Sequence, residues 1–219
     1  MAGKKRKLYK YAQFESNELC FYGRELSMDA VKQQLAGRDV VIELGAGNAQ
    51  WARSYAADHP EQLIIAFDIK RDRLWQGARE SEDLHNIIFV NDSAKNIASY
   101  LPTGSIAQIW ITFPDPFFKK SQAKRRLTQP ELLRVYAALL CSDGALNIKS
   151  DNQMFMARSV EYIDETGAYD IVRLETAVEA IGDGPEYYQT YYEQQWRESG
   201  QEVLYMQAML RSFPAIEHK

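Results

Sequence analysis

Val40-Val41-Ile42-Glu43-Leu44-Gly45-Ala46-Gly47-Asn48-Ala49 is the stretch that decides the fold. A β-branched run enters a glycine turn, and a helix-like stretch, residues 51–59, follows it. Glycines let a backbone approach a ligand closely, and the helix N-terminus beyond offers free N–H groups. Outward from this turn the same alternation repeats. Apolar runs at 63–68, 87–92 and 106–113, with a weaker one at 145–150, alternate with amphipathic stretches at 71–82 and 129–141. In the last stretch Leu132, Val135, Tyr136 and Leu139 fall at helical spacing, and Gly144 reads as its stop. This β–α alternation predicts an α/β fold, with a mostly parallel sheet and helices on both faces. Residues 171–176 and 202–210 read as an antiparallel strand pair that completes a seven-stranded sheet. With no repeat or long linker, residues 19–219 read as one domain, and residues 1–18 as a flexible basic arm.

The 219 residues carry 26 basic and 30 acidic side chains, a net charge of −4. Distribution matters more than the sum. Lys4, Lys5, Arg6, Lys7 and Lys10 cluster without an acid, as do Lys119, Lys120, Lys124, Arg125 and Arg126. An acidic body with two concentrated basic patches still binds phosphates locally. The two cysteines, Cys20 and Cys141, suit a reduced cytoplasm rather than a disulfide scaffold or structural zinc. No apolar run is long enough to span a bilayer, and the charged N-terminus does not read as a signal peptide. The expected location is cytoplasmic. His59, His85 and His218 are scattered without metal-ligand spacing, so no metal is expected.

Candidate site residues collect at the ends of the apolar runs, the edge where open α/β sheets bind ligands. Glu43, Gly45 and Gly47 form the turn. Asp68 ends the next run, where a carboxylate can accept both ribose hydroxyls of an adenosine. Asn91 and Asp92 end the third, where an amide or carboxylate could meet an adenine edge. The fourth ends in Phe113-Pro114-Asp115-Pro116-Phe117-Phe118-Lys119-Lys120, followed by Ser121-Gln122-Ala123-Lys124-Arg125-Arg126-Leu127. The two prolines fix the backbone on both sides of Asp115 and hold its carboxylate beside the basic run.

These segments resemble the bacterial tRNA (guanine-N7-)-methyltransferases. The resemblance runs from about residue 38 to 210. It rests on the E-x-G-x-G turn, the 113–127 segment, Ser150-Asp151-Asn152 and Thr190-Tyr191-Tyr192-Glu193. Phe117 stands where the family has Trp, Gln122 where it has His, Ser150 where it has Thr, and Ser93-Ala94 where it has Asp-Ala. The resemblance implies a Rossmann-like class I methyltransferase that uses S-adenosyl-L-methionine and methylates guanine N7 in the variable loop of tRNA. It implies a cofactor site of Glu43, Gly45, Gly47, Asp68, Asp92 and Ser93. Lys119, Lys124, Arg125, Arg126, Asp151, Thr190 and Glu193 would bind substrate.

The chemistry agrees with such a residue set. N7 of guanine carries a lone pair and no proton, so its methylation needs alignment rather than a general base. Positive charge develops on the base, and Asp115 is the expected catalytic carboxylate that stabilises it. Phe117, Phe118, Tyr191 and Tyr192 could stack on an exposed base. A nicotinamide oxidoreductase shares the strand–glycine–acid pattern, but it leaves the Pro-Asp-Pro segment unexplained and expects a third glycine. A non-catalytic tRNA-binding homologue and a methyltransferase for another nucleic acid or small molecule are the alternatives. Monomer and homodimer are equally compatible with the sequence.

Overall fold

The computed structural model describes residues 2–25, 37–179 and 182–211. Among these residues eight strands form one sheet: β1 (Cys20–Tyr22), β2 (Val40–Leu44), β3 (Leu63–Asp68), β4 (Ile87–Asn91), β5 (Ile106–Thr112), β6 (Leu140–Ser150), β7 (Tyr169–Glu175) and β8 (Leu204–Leu210). Their order is β1-β4-β3-β2-β5-β6-β8-β7. β1 to β6 pair in parallel, and β8 pairs antiparallel with both β6 and β7. The mostly parallel α/β sheet with an antiparallel C-terminal pair is as expected. It has one strand more, because three-residue β1 is too short to show a pattern in sequence.

Among the described residues six α-helices flank the sheet: α1 (Ala2–Glu15), α2 (Gln50–Asp58), α3 (Arg71–Arg79), α4 (Pro130–Leu139), α5 (Gln153–Thr166) and α6 (Tyr191–Glu198). Alternation along the strands divides the core. Val40, Ile42 and Leu44 face one cluster with Leu133 and Tyr136 of α4 and Ile163 of α5. Val41 faces the other, with Trp51 and Tyr55 of α2 and Leu74 of α3. α4 ends at Leu139 and passes directly into β6, which contains Gly144, so that glycine is not the helix stop. A Cβ there would lie 2.9 Å from the Cys141 carbonyl oxygen, so close backbone approach explains it instead.

The segment expected as a flexible arm holds α1. Phe14 is fully buried and packs 5.7 Å from the Tyr22 ring. The Arg71 guanidinium lies 3.5 Å from the Tyr11 ring centre, and Lys10 lies 5.1 Å from that of Trp75. One aromatic anchor and cation–π contacts dock the helix, and neither produces an apolar periodicity. His218 lies outside the described residues.

From β2 the chain moves outward to β3 and β4, then returns to β5 on the other side of β2. That reversal opens a crevice at the C-terminal ends of the strands.

Candidate active site

A cavity of about 720 Å³ fills this crevice. Gly45, Gly47, Asp68, Asp92, Ser93, Asp115, Lys124, Arg125, Asp151 and Thr190 all line it. Residues up to 145 positions apart in sequence thus line one cavity. Glu43, Lys119, Arg126 and Glu193 are not in the lining.

The glycine turn is built for close approach. Gly45 and Gly47 have φ of 75° and 60°, and Ala49 follows at 54°. A Cβ on Gly47 would meet nothing within 4 Å, so the space above it belongs to the cavity. The Gly47 N–H donates to Asp68 Oδ2 at 2.8 Å, and the Lys70 N–H donates to Oδ1 at 2.6 Å. Each carboxylate oxygen keeps a lone pair for a ligand hydroxyl. Burial pushes the Asp68 carboxyl upward, and these two hydrogen bonds oppose that shift. Asp92 is held by donors from the Ser93 N–H (2.6 Å) and the Asn96 side-chain amide (2.8 Å).

Glu43 lies beneath the turn, 1% exposed. Its Oε2 accepts from the Ala52 N–H at 3.1 Å, and its Oε1 accepts from the Thr112 hydroxyl at 2.5 Å. It therefore ties the first turn of α2 to the end of β5. Burial pushes its carboxyl up to about 7, partly offset by those two bonds. A carboxyl raised in the folded state stabilises the fold below its unfolded value, near 4.5. That contribution is lost as pH rises through about 7. Glu43→Gln should therefore match wild-type stability near pH 4 and exceed it at pH 8, by on the order of 3 kcal/mol. Denaturant titrations at the two pH values check this; a gap independent of pH would contradict it.

The loop after β5 is held in an unusual backbone conformation. Phe113 and Phe117, on either side of Pro114-Asp115-Pro116, have φ of 47° and 45°. Left-handed backbone at a non-glycine residue persists only where surroundings enforce it. Here the Phe113 N–H donates to the Lys149 carbonyl at 2.9 Å. At the other end Arg126 Nε donates to the Pro116 carbonyl at 3.2 Å and Nη2 to that of Phe117 at 2.8 Å. Arg126 Nη1 donates to the Tyr162 hydroxyl at 2.8 Å. Arg126 thus faces inward as a clamp. Arg125 lines the cavity, with its guanidinium 4.3 Å from the Phe117 ring centre. Asp115 stands 66% exposed, 3.5 Å from Lys70 Nζ.

The fourth sequence signature begins α6. Thr190 caps that helix, its hydroxyl accepting from the Glu193 N–H at 3.1 Å. Glu193 is fully buried, with one oxygen 2.7 Å from Lys149 Nζ and the other 2.8 Å from Arg197 Nη2. The exposed Tyr192 accepts from Arg73 at 2.5 Å, and both line the cavity. Sequence reasoning missed Arg73 and Lys149. The second carried a signal, since a lysine inside an apolar strand run is rare unless paired.

The family model described as "Putative methyltransferase" matches residues 37–206. The tRNA (guanine-N(7)-)-methyltransferase of Bacteroides thetaiotaomicron is 30% identical over 220 residues, covering 94% of this chain and 86% of its own. The chain belongs to the tRNA (guanine-N(7)-)-methyltransferase family. The family member of Christiangramia forsetii is 29% identical over 180 residues, 78% of this chain and 79% of its own. Among solved structures, the 16S rRNA methyltransferase KamB superposes with a TM-score of 0.66 at 15% identity, covering 85% of this chain and 95% of its own. A 16S rRNA (adenine(1408)-N(1))-methyltransferase variant from Catenulisporales acidiphilia, solved with cosubstrate SAM, gives 0.64 at 16%, covering 87% and 93%. At those identities the likeness is one of fold. Among the described residues no group of His, Cys, Asp and Glu could hold a metal. None of the described helices is long and apolar enough to cross a membrane.

Proposed function

We propose that this chain transfers the methyl group of S-adenosyl-L-methionine to N7 of guanine in tRNA, in the cytoplasm. The observation that carries the reading is the single cavity joining the glycine turn and Asp68 to Asp115 and the basic loop. The cofactor half fits the nucleoside. Asp68 offers two oxygens for ribose hydroxyls, Asp92 and Ser93 would meet the adenine edge, and Phe67, Ile69, Ala94 and Leu132 supply apolar walls. The open space over Gly47 leaves room for the amino-acid end.

S-adenosyl-L-methionine supplies an already activated methyl group on a sulfonium centre. The chain's residues then need only align the acceptor and answer its charge. Asp115, rigid between two prolines, faces the cavity as a fixed carboxylate for the positive charge that develops on guanine. It is also an acceptor for the base's N–H edge. Asp151 lines the same cavity. Lys119, Lys124 and Arg125 form an exposed rim with no acid among them, suited to phosphates. α1 brings Lys7 and Lys10 beside Arg71 and Arg79 of α3, a second cationic face interleaved with Tyr11 and Trp75. The exposed Phe118, Tyr191 and Tyr192 offer stacking surfaces.

Incubation with methyl-labelled cofactor and bulk tRNA, followed by nucleoside analysis, tests the reading. Labelled 7-methylguanosine is the expected product. Binding of tRNA without transfer, or label in another nucleoside, would overturn it.

A further inference from the structure

Lys149 lies in β6 with no exposed surface, directly before Ser150-Asp151-Asn152. Withdrawing an ammonium from water is unfavourable, and an apolar side chain of similar volume would pack such a strand at least as well. Its neighbours Leu146 and Ile148 do so. The charge therefore calls for a reason other than packing.

Its contacts supply one. The Lys149 carbonyl accepts the Phe113 N–H at 2.9 Å, and its Nζ lies 5.8 Å from the Phe113 ring centre, at the start of the Pro-Asp-Pro loop. Nζ donates to the Tyr188 carbonyl at 3.1 Å and to Glu193 Oε2 at 2.7 Å. The remaining Glu193 oxygen accepts from Arg197, whose guanidinium also donates to the carbonyls of Val178 (2.8 Å) and Glu179 (3.1 Å). The Glu193 N–H is the one that Thr190 caps. One lysine, by its carbonyl and its ammonium, thus joins the three segments that surround the acceptor half of the cavity: the loop after β5, the end of β6 and the start of α6.

We infer that Lys149 is a positioning residue for methyl transfer, whose ammonium acts through Glu193 to set Thr190, Asp151 and the Phe113 end of the Asp115 loop around the acceptor base. The inference rests on the proposed function. It gives Glu193 a role through Lys149, in keeping with the fully buried carboxylate.

A double-mutant cycle tests it, using Lys149→Met, Glu193→Gln and both together. The cycle is read as kcat and KM with tRNA, with cofactor dissociation constants measured beside them. Each single variant should lose about 100-fold in kcat, the scale of a small misplacement of reacting groups, while cofactor affinity changes less than about threefold. The double variant should lose about the same 100-fold, because both changes cut one link. Multiplicative losses in the double variant would overturn the inference, and so would wild-type kcat in either single one. Should Lys149→Met not fold, Lys149→Gln, which keeps a donor for Tyr188 and Glu193, enters the same cycle and is judged by the same non-additivity. Wild-type protein in that assay separates the two readings. No 7-methylguanosine there would defeat the proposed function, whereas product with an additive cycle would defeat only the role of Lys149.

Discussion

Asp115→Ala should reduce kcat for methyl transfer about a thousandfold, or ~4 kcal/mol of activation free energy, and leave cofactor affinity nearly unchanged. Two features of the site set this expectation apart from loss of any exposed acid. Asp115 is a surface-accessible carboxylate whose only charged neighbour among the described residues is Lys70 at 3.5 Å, an exposed contact of little energetic weight. Removing it leaves no buried partner stranded, so folding should be untouched. Its backbone is fixed between Pro114 and Pro116, and left-handed residues at 113 and 117 bracket that unit. The backbone that carries the carboxylate is therefore already set when the base arrives, which lowers the reorganisation that electrostatic stabilisation would need. Asp115→Asn separates charge from shape. It keeps an acceptor for the base and loses the negative charge, and it should fall close to the alanine variant. Single-turnover rates with saturating tRNA and cofactor check both variants. Turnover within tenfold of wild type in Asp115→Ala would remove the residue from the chemistry.

The sequence made the strand ends legible because their pattern is local. A β-branched run, a glycine turn and a terminal acid at Asp68 can be read without knowing any distant contact, and all of these reach the cavity. Glu43 shows the limit of such reading. It belongs to the turn signature, yet alternation along β2 sends its side chain under α2 rather than into the cavity. Glu193 likewise lies outside the cavity lining, because its carboxylate turns to Lys149, 44 positions away. α1 was illegible for a related reason. Phe14 and a set of cation–π contacts hold it, and these depend on α3 being in place. β1, at three residues, pairs only because β4 offers an open edge. Where a residue's function is a contact with a distant element, residue type and spacing carry little trace of it, a lysine inside an apolar run such as Lys149 being the exception.

Arg125 and Arg126 are adjacent in the basic run and indistinguishable there, yet they should respond to substitution in opposite ways. Arg125 is exposed and lines the cavity, so Arg125→Gln should raise the KM for tRNA and lower the salt dependence of binding by about one unit of log–log slope. Arg126 spends its guanidinium on the Pro116 and Phe117 carbonyls and the Tyr162 hydroxyl. Hydrogen bonds from a charged donor contribute about 1.5–3 kcal/mol each. Left-handed backbone at Phe113 and Phe117 opposes them by about 1–3 kcal/mol per residue. These sums are of the same order, so the loop keeps its strained shape only while the clamp is present. Arg126→Gln cannot span three acceptors with one amide. The loop should relax, Asp115 should shift by a fraction of its own length, and kcat should fall about 100-fold. The salt slope should stay at the wild-type value, because no phosphate contact has been lost. Steady-state kinetics across a salt series distinguish the two outcomes for each variant. A reduced slope with normal kcat in Arg126→Gln would mean that its side chain turns outward to the RNA backbone and that the loop holds its shape by other means.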